Sequence, residues 1–181
     1  MIEKNLLVDE TFIKSVTNIS DNIRSKLIEP AIFEAQNEDL RDVLGDKLLS
    51  RLIELVASDD IYKEEYSNYK ELLIKCQYFL AYTVASNICI LTAVKIDNAG
   101  LQQVSDDRMN PLSISECFQI QKYYTNRADY LCKQLQNYLL QNKSLFPELC
   151  HNSIHSIKSN LNSAASCGIF LGGPRGRKIN K

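Results

Sequence analysis

Apolar residues recur every three or four positions along two long stretches of the chain, and this spacing predicts two long helices. The first stretch covers about residues 63–91 and the second about residues 114–141. The first keeps its helical spacing for about seven turns, which corresponds to ~40 Å of α-helix. Its apolar stripe consists of Tyr66, Tyr69, Leu73, Cys76, Leu80, Val84, Ile88 and Leu91. The stripe of the second consists of Cys117, Tyr124, Ala128, Leu131, Leu135, Tyr138 and Leu139.

Shorter helices are predicted before the first long one. Asp9 is a suitable N-cap for a helix over residues 9–16. Pro30 suits the first position of the next helix, because it lacks an N–H group. That helix bends near Asn37 and continues to Gly45, which is well placed as a C-cap. Asp46 then opens another helix with a broad apolar face.

Residues 93–112, between the two long stretches, interrupt the helical pattern. The turn signal Asp97-Asn98-Ala99-Gly100 predicts either a short hairpin or an ordered loop. Ser113 and Glu116 then have the spacing of a capping box, which predicts the start of the second long helix. The pattern predicts an all-α fold: a helical bundle with two long antiparallel helices, a short hairpin or loop insertion, and an extended C-terminal arm.

The C-terminal arm differs in composition from the rest of the chain. Residues 1–150 are predicted to form one helical domain, and residues 151–181 a Ser/Asn-rich linker followed by the arm. Four of the six glycines fall in the last fourteen residues, around the apolar triplet Ile169, Phe170 and Leu171. The triplet is followed by the cations Arg175, Arg177, Lys178 and Lys181.

Two interpretations of the arm are open. One is a disordered terminus, which is common at chain ends. The other is docking on another chain, for example as a strand added to a partner's sheet. Three consecutive large apolar residues are unusual in a disordered tail and favour docking.

Charge is divided unevenly along the chain. The net charge is −1, but residues 151–181 hold five Lys and Arg and no Asp or Glu, which leaves −6 on the first 150 residues. A general nucleic-acid binder needs a cationic stripe on its folded part. This distribution instead suits an arm that reaches an acidic or phosphate-bearing surface.

Candidate catalytic and metal-binding residues are scarce. His151 and His155 are spaced four apart beside Cys150, but no third ligand with firm spacing follows. The glycines from Gly172 to Gly176 lack the Gly-Lys-Ser/Thr ending of a phosphate loop. We therefore predict no catalytic residue, no cofactor, no metal site and no enzymatic activity.

The apolar run over residues 78–94 is ~17 residues long, whereas a membrane span needs about 20. It is therefore predicted to be a core helix buried on most sides, with no membrane contact.

Most cysteines lie within helical apolar patterns, and we expect their thiols to be reduced in the cytosol. The nine tyrosines fit either packing between the long helices or a subunit interface.

Three patterns of residues follow one another along the chain. The first is Glu29-Pro30-Ala31-Ile32, Glu34-Ala35-Gln36, Asp39-Leu40 and Val43-Leu44-Gly45. The second is the Asn98-Ala99-Gly100-Leu101 turn after a long helix that ends at Ile96. The third runs from Ala128 and Tyr130 through Tyr138-Leu139 and Asn142 to Phe146-Pro147-Glu148-Leu149. In this order they resemble the head–tail connector (adaptor, or head-completion) proteins of tailed bacteriophages, especially forms from phages and prophages of gut Bacteroidetes.

The resemblance covers most of the chain before Leu149, and it implies a structural protein of the virion. Such proteins form a homo-oligomeric ring, usually a dodecamer, beneath the portal protein, and the next neck or tail protein binds below. Packaged DNA passes through the ring without specific binding, and assembly takes place in the cytoplasm of the bacterial host. The family commonly docks a C-terminal arm on the portal, a role that would fall here on Ile169, Phe170, Leu171, Arg175, Arg177 and Lys178.

Two other functions are considered. One is a small intracellular helical adaptor or DNA-associated regulator with a basic tail, although no short recognition helix rich in Arg, Lys, Asn and Gln is evident. The other is a ligand-binding or enzymatic four-helix bundle. A di-metal bundle would need two inward Glu-x-x-His motifs, and the sequence contains none.

Overall fold

Two long helices form the centre of an all-α bundle, as the apolar spacing predicted. The computed structural model describes residues 5–97, 100–103 and 113–149. The helices are α1 (Glu10–Val16), α2 (Ser25–Ala35), α3 (Arg41–Leu44), α4 (Asp46–Ala57), α5 (Ser67–Ala93) and α6 (Ile114–Gln141). Short 3-10 turns cover Asp60–Tyr62, Glu64–Tyr66 and Lys143–Leu145. The predicted linker and arm lie outside the described residues.

Helices α5 and α6 run antiparallel along most of their length. The Lys75 ammonium lies 4.7 Å from the centre of the Tyr138 ring. Farther along α5, the hydroxyls of Ser86 and Thr125 are 2.8 Å apart. Later residues of α5 thus meet earlier residues of α6, which is the antiparallel arrangement.

A two-stranded hairpin follows α5. Strand β1 (Val94–Asp97) pairs antiparallel with β2 (Gly100–Gln103). Val94 is opposite Gln103 and Asp97 is opposite Gly100. Of the two alternatives predicted for this region, the hairpin is confirmed.

The apolar stripe of α5 is buried over most of its length. Six of its members are buried: Tyr69, Leu73, Cys76, Leu80, Val84 and Ile88. In residues 79–86, every side chain except Tyr82 is buried, which confirms the expectation for that part of the helix. Leu91 is 48% exposed, so the prediction is wrong at the end of the helix. Leu91 lies in the last turn of α5, just before β1.

Helix ends follow the local chemistry of the sequence. The carboxylate of Asp9 accepts a hydrogen bond of 2.7 Å from the N–H of Phe12, which confirms the N-cap of α1. Ser113 and Glu116 form the reciprocal capping box of α6. Gly45 ends α3 with φ 76° and ψ 160°, a conformation that a β-carbon disfavours, and Asp46 begins α4 as predicted.

The prediction that a helix starts near Pro30 is wrong. Helix α2 begins at Ser25 and contains Pro30 in its second turn. Proline there removes one backbone donor to the preceding turn. Ile28, which lies before Pro30, is fully buried, and its burial accounts for the earlier start. The bend predicted near Asn37 corresponds to a π-helical turn over Gln36–Leu40.

Gln36 attaches the N-terminal segment to the bundle, and no sequence pattern predicted this. Its side-chain oxygen accepts from the N–H of Leu7 at 2.8 Å, and its amide nitrogen donates to the carbonyl of Asn5 at 3.0 Å. The amide of Gln77 donates to the carbonyl of Leu7, also at 2.8 Å. Leu7 and Val8 are buried as a result.

Candidate interaction surfaces

The first half of α6 presents large apolar side chains to solvent. Phe118 is 53% exposed and Ile120 is 41% exposed. Ile114, Tyr123 and Tyr130 are exposed in the same helix. Single exposed apolar residues are ordinary, but several on one helix mark a candidate binding surface.

One flank of α6 carries a groove with an aromatic lining, named here the tyrosine groove. Val16 and Asn18 of the α1 end, Tyr82 of α5, and Ile120, Tyr123 and Tyr124 of α6 line it, with Glu116 and Gln119 at its edge. Its volume is about 830 Å³. The groove forms because α1 ends beside α6 without covering it.

Aromatic contacts hold the wall of the tyrosine groove. The ring centres of Tyr123 and Tyr124 are 5.4 Å apart in an edge-on arrangement, and those of Tyr82 and Tyr124 are 6.3 Å apart. The Arg127 guanidinium lies 5.6 Å from the centre of the Tyr82 ring, which permits a cation–π interaction. Burial raises the pKa of the Tyr124 hydroxyl, so this side chain stays uncharged at neutral pH.

The opposite flank of α6 carries a second groove, named here the acidic groove. Its lining includes Asp39, Asp42 and Asp129 together with Ser86, Thr125 and Gln136, and its volume is about 600 Å³. No Lys or Arg is among the residues that line it. Loss of solvent raises the pKa of the Asp39 carboxyl, and the neighbouring Glu38 and Asp42 charges add to the shift. The three carboxylates make this flank electronegative.

The two grooves lie on different sides of one helix. Successive residues of an α-helix are rotated by about 100°, so Phe118 and Ile120 are about 200° apart around the axis. Ile120 lines the tyrosine groove. Phe118 instead shares the side of Gln121 and Thr125, which line the acidic groove. Ile114 and Phe118, one turn apart on this side, are named here the apolar ridge.

Metal-ligating side chains are not gathered in the described part of the chain. No group of three or more His, Cys, Asp or Glu residues there could hold a metal ion. Cys76, Cys89, Cys117 and Cys132 are free thiols. Burial raises the pKa of Cys76 and Cys89, and it raises that of Cys132 to about 11, so these three remain protonated at neutral pH.

The arm residues predicted to bind a partner, Ile169, Phe170, Leu171, Arg175, Arg177 and Lys178, lie outside the described residues. His151 and His155 do as well. Tyr69 and Tyr124 are buried, as packing between the long helices predicts, whereas Tyr123 and Tyr130 are exposed. A subunit interface for the exposed tyrosines stays a prediction. The apolar ridge and Ile120 were not predicted as a surface. Their sequence signal is that Ile114 and Phe118 are apolar but lie off the stripe of α6, whereas Ile120 lies at the edge of that stripe.

One helix in the described residues is long and apolar enough to cross a membrane by length and composition alone. It spans Glu64–Ala93, which is α5 together with the 3-10 turn before it. Of its most apolar stretch of 18 residues, 44% is buried inside the protein. Core helices of soluble proteins pass the same criterion. Ser86 in this helix pairs with Thr125 of α6, as expected for a helix packed on another helix.

Comparison with known proteins gives one match. A family model described as "Family of unknown function (DUF6712)" matches residues 40–155, which is more than half of the chain. No curated protein and no solved structure matches the chain at a significant level. The matched region includes α3 to α6 and the α6 residues of both grooves, but it ends before the apolar triplet of the arm.

Proposed function

We propose that this chain, which belongs to the DUF6712 family of unknown function, is a structural virion protein that forms the ring joining a phage head to its tail. The ring, a dodecamer in the family that the sequence resembles, would lie beneath the portal protein and bind the next neck or tail protein. It would extend the DNA channel without catalysis, cofactor or specific DNA binding. Assembly would occur in the host cytoplasm.

The observation that carries this proposal is the exposure of apolar side chains on two flanks of α6. A subunit in a closed ring contacts its two neighbours through two different surfaces. The apolar ridge and the tyrosine groove are two such surfaces, about 200° apart around α6. A monomeric helical protein would gain solubility from polar residues at Phe118 and Ile120, whereas a ring subunit buries them.

Charge also agrees with a passage for DNA. Each phosphate that a protein neutralises adds affinity through release of counterions, which would hinder DNA movement. The net charge of −6 on the first 150 residues opposes such contacts. The arm, with its apolar triplet and cations, remains the segment proposed to dock on the portal.

Co-expression with the portal protein encoded in the same viral genome tests this function. We expect the full chain to co-purify with portal and to add an annular layer beneath it in negative-stain images. A chain ending after Ala165, and a chain with Ile169, Phe170 and Leu171 all replaced by Ser, should lose portal binding. Replacement of Asn160, Asn162 and Ser163 by Ala is the matched control in the linker and should leave binding intact.

Duplex DNA binding separates this role from a regulator with a basic tail. In a filter-binding assay at moderate salt, a ring subunit should retain no duplex, whereas a regulator should retain it. A full chain that ignores the portal and retains duplex DNA would favour the regulator. Unchanged portal binding after loss of the arm would refute the arm's role alone.

A further inference from the structure

We infer that the two flanks of α6 bind each other between copies of this chain: the apolar ridge of one copy enters the tyrosine groove of the next. This inference rests on the proposed function, because it identifies the contact that would close the ring. It adds which side chains meet, in which orientation, and which neighbour contributes each surface.

The apolar ridge and the tyrosine groove match in chemistry and in their position along the axis of α6. Phe118 and Ile114 project apolar surface, and the groove offers an apolar and aromatic wall with about 830 Å³ of space. Phe118 and Ile120 differ by two residues, or about 3 Å along the helix axis. The α6 residues of the groove run from Glu116 to Tyr124, so Phe118 of a parallel neighbour lies within that span without axial displacement.

Charges on the two flanks favour the same alignment. Asp129 is eleven residues after Phe118, close to three full turns, and so lies on the ridge side. Arg127 is seven residues after Ile120, close to two turns, and lies on the groove side above Tyr82. Without axial displacement, Asp129 of one copy lies two residues, or ~3 Å, from the level of Arg127 of the next, which long charged side chains can span.

Neither charge forms an ion pair among the described residues of its own molecule. The ion pairs of that part of the chain join Lys14 to Glu10, Arg41 to Asp46, Arg51 to Glu54, Lys63 to Asp60 and Lys75 to Glu71. Arg127 and Asp129 form none of them. Complementary charges at an interface fix its register and exclude other pairings.

The contact is heterologous, because a ridge and a groove are different surfaces. Repetition of one heterologous contact closes into a ring when the rotation fits and otherwise extends into a filament. A contact without axial displacement between neighbours is compatible with closure. A second copy of this chain is therefore the occupant that fits the groove in shape, level and charge.

Two single substitutions test the pairing. Phe118→Lys removes the ridge and leaves the groove, whereas Ile120→Lys damages the groove and leaves the ridge. Both side chains are exposed, so the variants should fold, as circular dichroism can verify. Ile74→Lys is the matched control, since Ile74 is 46% exposed but lies in the first half of α5. Sedimentation velocity over a concentration series gives the mass of each species.

We expect the full-length wild-type chain and Ile74→Lys to form the closed oligomer, and each α6 variant alone to remain monomeric. An equimolar mixture of the two α6 variants should give a 1:1 heterodimer and nothing larger. In that mixture, the intact ridge of Ile120→Lys meets the intact groove of Phe118→Lys, and the opposite contact is broken at both ends. This outcome is specific to a heterologous pairing.

Rings formed by both α6 variants would overturn the pairing and leave the proposed function standing, because portal binding is measured separately. A mixture that stays monomeric, or a wild-type chain monomeric at every concentration, would also overturn it.

Charge reversal gives an independent test. Arg127→Glu and Asp129→Lys should each weaken assembly, and a mixture of the two variants should restore it; a mixture no better than either variant would overturn the register.

Discussion

The hydroxyl of Tyr69 donates a hydrogen bond of 2.7 Å to the carboxylate of Glu148, seventy-nine positions later in the chain. The contact joins the first turn of α5 to the segment that follows α6. Beside it, Phe146 is buried with its ring centre 5.4 Å from that of Tyr69 and 6.0 Å from that of Tyr138. The segment after α6 is thereby fixed against α5, just before the predicted linker.

Removal of this hydrogen bond should destabilise the protein. For Tyr69→Phe we expect the free energy of unfolding to fall by about 1.5–3 kcal/mol, because the hydrogen bond has a charged acceptor. Urea unfolding followed by circular dichroism measures the change. Tyr130→Phe is the matched control, since the Tyr130 hydroxyl forms an exposed hydrogen bond with Gln134, and it should change little. An equal loss in both variants would contradict the assigned role of Glu148.

Alkaline pH should unfold the protein through Tyr69 and Tyr138. Burial, followed by the nearby Glu148, raises the pKa of Tyr69 to about 12, and burial, followed by Glu71, raises that of Tyr138 to about 12. A folded pKa above the unfolded value of 10.0 stabilises the protein below pH 10, and this stabilisation is lost as pH rises from 10 to 12. Urea midpoints across this range measure the loss.

The tyrosinate absorbance of the folded protein supplies the control. Tyr69 and Tyr138 should ionise in a late step, and this step should shrink in Tyr69→Phe and again in the double variant with Tyr138→Phe. Ionisation of all nine in a single step near pH 10 would exclude this explanation.

Gln36→Leu should loosen the N-terminal segment. The substitution leaves the Leu7 N–H and the Asn5 carbonyl without their partner, which costs about 1–3 kcal/mol of folding free energy. Hydrogen exchange at the Leu7 amide should accelerate more than exchange in α5. Gln134→Leu, an exposed glutamine of α6, should leave that amide protected. Unaltered protection in Gln36→Leu would mean that Gln77 alone holds the segment.

Gly45→Ala should be costly although its side chain is small. Gly45 has φ 76° and ψ 160°, a region that is essentially restricted to glycine, and forcing another residue into it costs about 1–3 kcal/mol. Thermal unfolding measures the loss. Ser50→Ala, at an exposed position of α4, is the control and should stay within about 0.5 kcal/mol of the wild type. A neutral Gly45→Ala would show that the turn between α3 and α4 rearranges freely.

Local features of the fold could be predicted because they depend on residues a few positions apart. The Asp9 carboxylate accepts a hydrogen bond from the backbone N–H of Phe12, three residues later. Ser113 and Glu116 each accept a hydrogen bond from the other's backbone N–H within one turn. Gly45 was recognised as a helix end because its backbone freedom is a property of the residue itself. The prediction from Pro30 was wrong because proline's local preference for the first helical position was outweighed by the burial of Ile28, which lies before it.

The amino-acid sequence by itself determined the helices, most of their ends and their apolar stripes, because capping and periodicity are short-range. Only the tertiary structure decided that Gln36 holds the N-terminal segment, that Tyr69 meets Glu148, and that Phe118 and Ile120 stay exposed on two flanks of α6. Exposure of a side chain depends on how far neighbouring helices reach, and α1 ends at Val16 without covering Ile120. Such distances between elements are set by packing across the whole bundle, which no window of a few residues contains.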